Sequence, residues 1–277
     1  MTAMSQQRVS GQRGVALAIV VWFLAAMSLL VSGIVFQARV DTKMAQVHVA
    51  RAKAQAAGDG AIQLMLAALA SGNLRGAGLP RGTFDIGGLP VTVELVRISG
   101  LVDLNRADAD TLSLLFAQGQ QSPGEAQLIA DNVVKWRGSP VDAEGRKKPV
   151  KFASIEDVMR VAGVGRTQLD AIRDYVVVGP AGQEQISLVD APAPLLKLLA
   201  GKDGRAATSV LDGRAKLAAS DKRIQSRRGE KYRVDAWVRV GEQTLLRRRW
   251  VDMAAGRNSA LPWRFLRIEP VRVTSDS

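Results

Sequence analysis

His48 is the only histidine in the chain, and there is no cysteine. Those two counts remove most catalytic repertoires. A histidine-centred triad, a multi-histidine metal site and a cysteine nucleophile all need residues the chain lacks. His48 lies mid-helix and reads as a surface or partner-facing residue. Two sets of carboxylates are close in sequence. Asp103 and Asp108 could form an acid/base pair, yet both flank a helix start, where a carboxylate caps free N–H groups. Glu156-Asp157 lie at another helix start, where acids suit the positive end of the dipole. No Walker-type phosphate loop is present. Gly163-Val164-Gly165 could offer backbone N–H groups to a phosphate, although glycine there is also the ordinary way to end a helix. Arg247-Arg248-Arg249 with Trp250 could dock anionic lipid, acidic protein or nucleic acid; a solvated strand end is the simpler alternative. These candidates point away from an enzyme.

The elements that carry them begin with one stretch, Val15 to Phe36, which holds no charge and no proline. An uncharged apolar run of that length predicts a membrane-spanning helix, because lipid offers backbone polar groups no partner outside the helix. A cleaved secretory signal has a shorter apolar region and a small-residue cleavage site. Here the helical pattern continues past Phe36. Arg8 and Arg13 precede the span, which favours an N-terminus in the cytoplasm and the bulk of the chain across the membrane. From Gln37 to Ala70 alanine is abundant and proline absent. Val40, Met44, Val47, Ala54, Ala61 and Met65 recur at steps of three, four or seven residues, as one apolar face requires. A continuous helix over 15–70 would be about 84 Å long. Gly58 and Gly60 are points where it could bend.

Composition bounds the rest. The chain has 277 residues, 47% hydrophobic and 23% charged, with a formal net charge of +12. That leaves room for one or two compact domains and suggests acidic partners. Most of the positive excess lies in 201–277.

Residues 83–98 predict a hairpin, Thr83-Phe84-Asp85-Ile86 and Leu89 to Ile98 about Gly87-Gly88. From Gly100 the pattern becomes helical. Helices are expected from Asp108 to Gln118, near Ser122 to Trp136, after Ser154, and from Thr167 to Tyr175. The pattern Val102-x-Leu104-x-x-Ala107 returns as Ile186-x-Leu188-x-x-Ala191, a strand-to-helix lead-in used twice. Strands return at Tyr232 to Val240, Gln243 to Met253 and Trp263 to Val273, the last an edge because of Pro270. The fold class is α+β: one antiparallel sheet from 83–98 and 231–273, covered by the second half of the long helix, with a helical domain between.

Arg13-Gly14 followed at once by a long apolar helix resembles the processing site of type IV pilins and type II secretion pseudopilins. The resemblance implies cleavage after Gly14 by a prepilin peptidase and methylation of the new N-terminal Val15. Most of that family carry glutamate at the fifth mature position, here Ile19. Its absence, the Val-Asp-Leu-Asn-x-Ala lead-in at 102–107, Trp136, and the Phe152-x-Ser-Ile-Glu-Asp-Val start resemble the K-type minor pseudopilins (GspK-like). That resemblance implies a leader at 1–14, a transmembrane and projecting helix at 15–70, a pilin-like core from 71–99 and 201–277, and an inserted helix-hairpin-helix-like domain at 100–200. It implies the inner membrane, a mainly periplasmic chain, and the minor pseudopilins I and J as partners at the pseudopilus tip. It also implies a calcium loop after the tryptophan. Gly138 to Lys151 offers only Asp142 and Glu144 as carboxylates, sparse for an ion that takes six to eight oxygens, so a solvated loop is the simpler reading. The second reading, a membrane-anchored helix-hairpin-helix DNA receptor, draws on the net charge and the Gly-x-Gly turn. Nucleic acid is not favoured, since the basic excess lies mainly outside the hairpin.

Overall fold

The computed structural model describes residues 12–75, 80–119, 121–138, 150–179, 186–199, 208–210, 212–213, 223–224, 229–254 and 260–274. The chain divides into two units, one ending at Lys53 and one running from Ala54 to Ser277. Helix α1, Gln12–Ala70, contributes to both. It runs unbroken through Gly58 and Gly60. In the first unit every described residue is helical, and the side chains from Val15 to Phe36 are exposed. This stretch is long and apolar enough to cross a membrane.

The second unit is built on an antiparallel sheet. Its strands are β2 (Arg81–Ile86), β3 (Leu89–Arg97), β7 (Lys231–Val240), β8 (Gln243–Asp252), β9 (Arg264–Ile268) and β10 (Arg272–Thr274). The order is β10-β8-β7-β3-β2, with β9 also paired to β8. A two-residue turn joins β2 to β3. Gly87 and Gly88 have φ of +60° and +78°, the left-handed pair that a tight hairpin of this kind demands. Small pairs complete the strands: β1 (Leu74–Arg75) with β6 (Arg223–Ile224), and β4 (Val102–Asp103) parallel to β5 (Val176–Val177).

Alternation along the strands gives the sheet two buried faces. Val91, Val93, Leu95, Val234, Ala236 and Val238 pack with Ala54, Ala61, Ile62, Met65 and Leu69 of α1. The opposite face carries Val96 and Trp250 into a second core, made by the helical insert between β3 and β7. The expected α+β plan, a sheet covered by the later part of the long helix, is what the structure has.

The insert comprises α2 (Ala109–Phe116), α3 (Pro123–Gly138), a 3₁₀ helix over Ile155–Arg160, α4 (Arg166–Ile172) and α5 over 193–199. Asp108 caps α2, accepting from Thr111 N–H at 2.7 Å. Three sequence expectations need correction. The element after Ser154 is a single 3₁₀ run, tightened by Asp157, which accepts from Ser154 and Ala153 N–H at 2.9 Å each. The second lead-in, Ile186 onward, forms a turn rather than a strand, because Asp190 is held by Ser99 Oγ and Arg97 instead of a neighbouring strand. Its helix does form, and Ala191, Leu195, Leu196 and Leu199 lie in the insert core. The last strand is broken at Glu269-Pro270 into β9 and β10, since proline has no N–H for the ladder.

Gly100 is fixed by contact. A Cβ there would lie 2.1 Å from Asp190 O and 2.5 Å from Ala191 N. The two ends of the insert touch at that point, and Ser187 N–H donates to Ser99 O at 2.8 Å.

Candidate assembly surface and buried charge network

The apolar N-terminal helix presents no unsatisfied hydroxyl in its span. Ser28 Oγ donates to Leu24 O at 2.8 Å and Ser32 Oγ to Ser28 O at 2.7 Å. Gly14 lies within the helical backbone, one residue before Val15. Val15 and Ile19 are each 61% exposed, on the same face as Ala18 and Trp22. Ile19 is therefore exposed apolar surface. Residues 1–11 lie outside the described residues.

The proposed partner-helix face divides. Ala54, Ala61 and Met65 are fully buried under the chain's own sheet, so they are not available to a partner. Val40 is half-exposed, and Met44 and Val47 are exposed. Of this stripe, Ala54, Ala61 and Met65 pack with β-strands of the second unit.

The arginine run is the larger correction. Neither a lipid-docking patch nor a solvated strand end describes it: Arg247 and Arg248 are each only 3% exposed. Successive strand residues point to opposite faces. Arg247 and Arg249 therefore turn toward α1, where both grip Asp59: Arg247 Nε to Oδ1 at 2.9 Å and Arg249 Nη2 to Oδ2 at 2.7 Å. Burial alone would raise the Asp59 pKa, but the two guanidiniums outweigh it and bring it down. Gly58 makes room for this contact, since a Cβ there would sit 2.7 Å from Arg247 Cβ.

Arg248 turns to the other face. Its Nε and Nη2 hold Asp235 of β7 at 2.6 and 2.8 Å, and its Nη1 reaches Asp174, which follows α4, at 2.6 Å. Arg233 pairs with Asp235 at 3.0 Å and donates to Asp174 O, and Arg272 of β10 bonds the Asp174 carboxylate. Asp174 would be raised by burial, but Arg248, Arg272 and Arg233 lower its pKa to about 2. Three strands are thus tied to one acid of the insert. Trp250 Nε1 donates to buried Glu269 at 2.9 Å.

The remaining candidates are structural. Asp103 is buried and its pKa is raised by that burial; Oδ1 accepts from Asn105 N–H at 2.9 Å. Asn105 in turn clamps the backbone of Phe152 in both directions, at 2.8 and 3.1 Å. Phe152 stacks on Trp136 with centroids 4.4 Å apart. The residues that carried the resemblance are therefore those that close the insert on itself. Asp103 and Asp108 serve separate local structures, and Glu156 accepts from Arg267 of β9 at 3.0 Å. Gly163 has φ +90°, and Val164 and Gly165 N–H already donate to Val161 O and to Gln168 Oε1. A phosphate would find those two donors taken. His48 is exposed on α1. Asp142 and Glu144 lie outside the described residues. Among the described residues no group of three His, Asp or Glu side chains could hold a metal ion.

Sequence reading missed Asp59, Asp174 and Asp235. The available signal was three consecutive arginines inside an alternating strand, which forces at least one of them inward.

These features define an α+β protein in which an apolar N-terminal helix, long enough to span a membrane, feeds an antiparallel sheet interrupted by a helical domain. No protein-family model matches the sequence, and no curated protein does. Among solved structures, the chain is similar to one from the GspK-GspI-GspJ complex of the enterotoxigenic Escherichia coli type 2 secretion system, with 14% identity and a TM-score of 0.43, over 87% of this chain and 100% of the matched one.

Proposed function

We propose that this chain is a non-enzymatic minor pseudopilin of the K type, placed at the tip of a type II secretion pseudopilus and assembling there with the I- and J-type minor pseudopilins to prime the fibre. One observation carries the reading: a helical domain inserted between β3 and β7 of a sheet that packs on the continuation of an apolar N-terminal helix. The leader motif Arg13-Gly14 and the apolar residue at Ile19 fit it. Subunits of such a fibre pack through their apolar helices. Glutamate at the fifth mature position would need a partner in lipid; Ile19 asks for none, as suits a subunit with no neighbour above. The bulk of the insert suits the same place.

The test is processing. Co-expression with a prepilin peptidase in the inner membrane is expected to shorten the protein by its first fourteen residues and to methylate Val15, read by intact mass. Gly14→Ala is expected to abolish the change. An unaltered mass for the parent chain overturns the reading.

A further inference from the structure

The core of the insert takes in Val96 and Trp250 from one end of the sheet face it packs on, and the next row along the strands is the buried Asp235–Arg248 pair. Beyond that row the same face carries different chemistry. Trp237 of β7 is half-buried there, level with Thr92 of β3. Thr92 is in turn opposite Thr83 of β2, and Thr244 of β8 is opposite Arg239 of β7. The Arg81 guanidinium lies 5.8 Å from the centre of the Trp237 ring, within reach of a cation–π attraction. Arg81 and Arg239 are exposed, and among the described residues neither guanidinium has an ion pair. Arg272, another arginine of this face, is taken by Asp174. Exposed large apolar side chains occur among the described strands only at Leu266, Ile268 and Val273. Ile268 and Val273 are level with Arg249 and Leu245, which face α1, so they lie on the other side of the sheet. Leu266 lies at the bulge in β9. The Trp237 face therefore lacks the apolar centre of a protein–protein interface.

We propose that this face binds an acidic glycan, with a sugar ring against the Trp237 indole, threonine hydroxyls bonding the sugar hydroxyls, and Arg81 and Arg239 holding carboxylates on either side. The inference goes beyond the pseudopilin reading and stands without it. An indole presents an apolar body with one N–H at its rim, the complement of a sugar ring with its C–H face and hydroxyl edge. A threonine hydroxyl both donates and accepts, as a sugar hydroxyl does. A guanidinium takes a carboxylate through two parallel hydrogen bonds. A neutral glycan leaves both arginines without a counterpart. An acidic polypeptide satisfies the arginines but offers no ring for the indole. Duplex nucleic acid brings a dense row of phosphates, and Asp85 and Glu94 face the same way as the two arginines and would repel it. Asp85 is also engaged in the hairpin turn, accepting from Gly88 N–H at 2.9 Å. Widely spaced carboxylates on a sugar chain suit two widely spaced guanidiniums.

The test is titration calorimetry of the full chain in detergent with polygalacturonate, beside neutral dextran, polyglutamate and duplex DNA. Dextran has the rings without the acid, and polyglutamate the acid without the rings. Polygalacturonate is expected to bind about tenfold or more tighter than each of the other three. Trp237→Ala is expected to weaken that binding about tenfold, the loss of one aromatic contact. Arg239→Ala is expected to weaken it and to flatten its salt dependence. Val273→Ala, on the other side of the sheet, is expected to change nothing. Urea midpoints establish that each variant is folded, and Arg239→Ala, at an exposed position, keeps the test sharp should Trp237→Ala fail to fold. Absence of binding to polygalacturonate, equal or tighter binding of dextran, polyglutamate or DNA, equal loss in Val273→Ala, or indifference to Arg239→Ala or to a folded Trp237→Ala each refute the site. Failure of processing at Gly14 removes the pseudopilin reading and leaves this one standing.

Discussion

Replacing Asp235 with alanine should damage this protein more than almost any other single polar change. Asp235 is 1% exposed and accepts Arg248 at 2.6 and 2.8 Å and Arg233 at 3.0 Å. Those arginines are themselves 3% and 4% exposed, so the change leaves two buried guanidiniums with Asp174, already shared with Arg272, as their remaining acid. Removing one partner of a buried pair costs about 3–5 kcal/mol. With a urea dependence near 3 kcal/mol per molar, the unfolding midpoint should fall by about 1–1.7 M. The assay is tryptophan fluorescence of the full chain in detergent against urea. Trp250 is a suitable reporter, being buried two residues from Arg248 with its indole bonded to Glu269. A second arm replaces all three charges, Arg233→Met with Asp235→Leu and Arg248→Met. Apolar replacement of a whole buried cluster is often neutral or stabilising by about 1–4 kcal/mol. A midpoint shift below about 0.3 M for Asp235→Ala would show that the pair behaves as a surface pair and refute the reasoning.

Asp174 carries an acid limb. Its folded pKa of about 2 lies below the usual 3.8, so the stability it contributes is present above pH 3.8 and lost as pH falls toward 2. Asp174→Asn should flatten that part of the stability–pH curve and lower stability at pH 7, both measured by urea midpoint. Gly100→Ala drives a methyl into the backbone of Asp190, and overpacking of that kind should cost about 3 kcal/mol. Gly58→Ala meets a side chain instead, so about 1–3 kcal/mol of crowding set against about 1 kcal/mol of helix gain should leave a net loss near 1 kcal/mol. A stabilised Gly58→Ala would mean that α1 lies farther from Arg247 than described.

The fold was legible where period and punctuation agree. Val91, Val93 and Leu95 alternate beside Gly87-Gly88, so the hairpin could be read from spacing alone. Asp108 before an apolar run marked its cap. Reading failed where a residue's role depends on strands distant in sequence. The apolar stripe of α1 does not announce that Ala54 is buried against a sheet while Met44 is exposed. Arginine is ordinarily a surface residue, so Arg248 reads as solvated until Asp235 and Asp174 are seen beside it. The turn at 186–190 copies the strand sequence at 102, but its Asp190 is taken by Ser99 Oγ and Arg97, partners that no reading of spacing would supply.

The contact between Gly100 and Asp190 has a kinetic consequence. β3 and β7 are neighbours in the sheet, yet the whole insert separates Arg97 from Lys231 in sequence. Closing so large a loop from an open coil is slow, and proteins dominated by distant pairings fold late. An insert that collapses first, with Ser99 tied to Ser187, shortens that loop to the stretch between Ser187 and Lys231. A chain delivered N-terminus first would then hold its hairpin against α1 and wait, with the central strand pair formed only when residues 231–252 arrive.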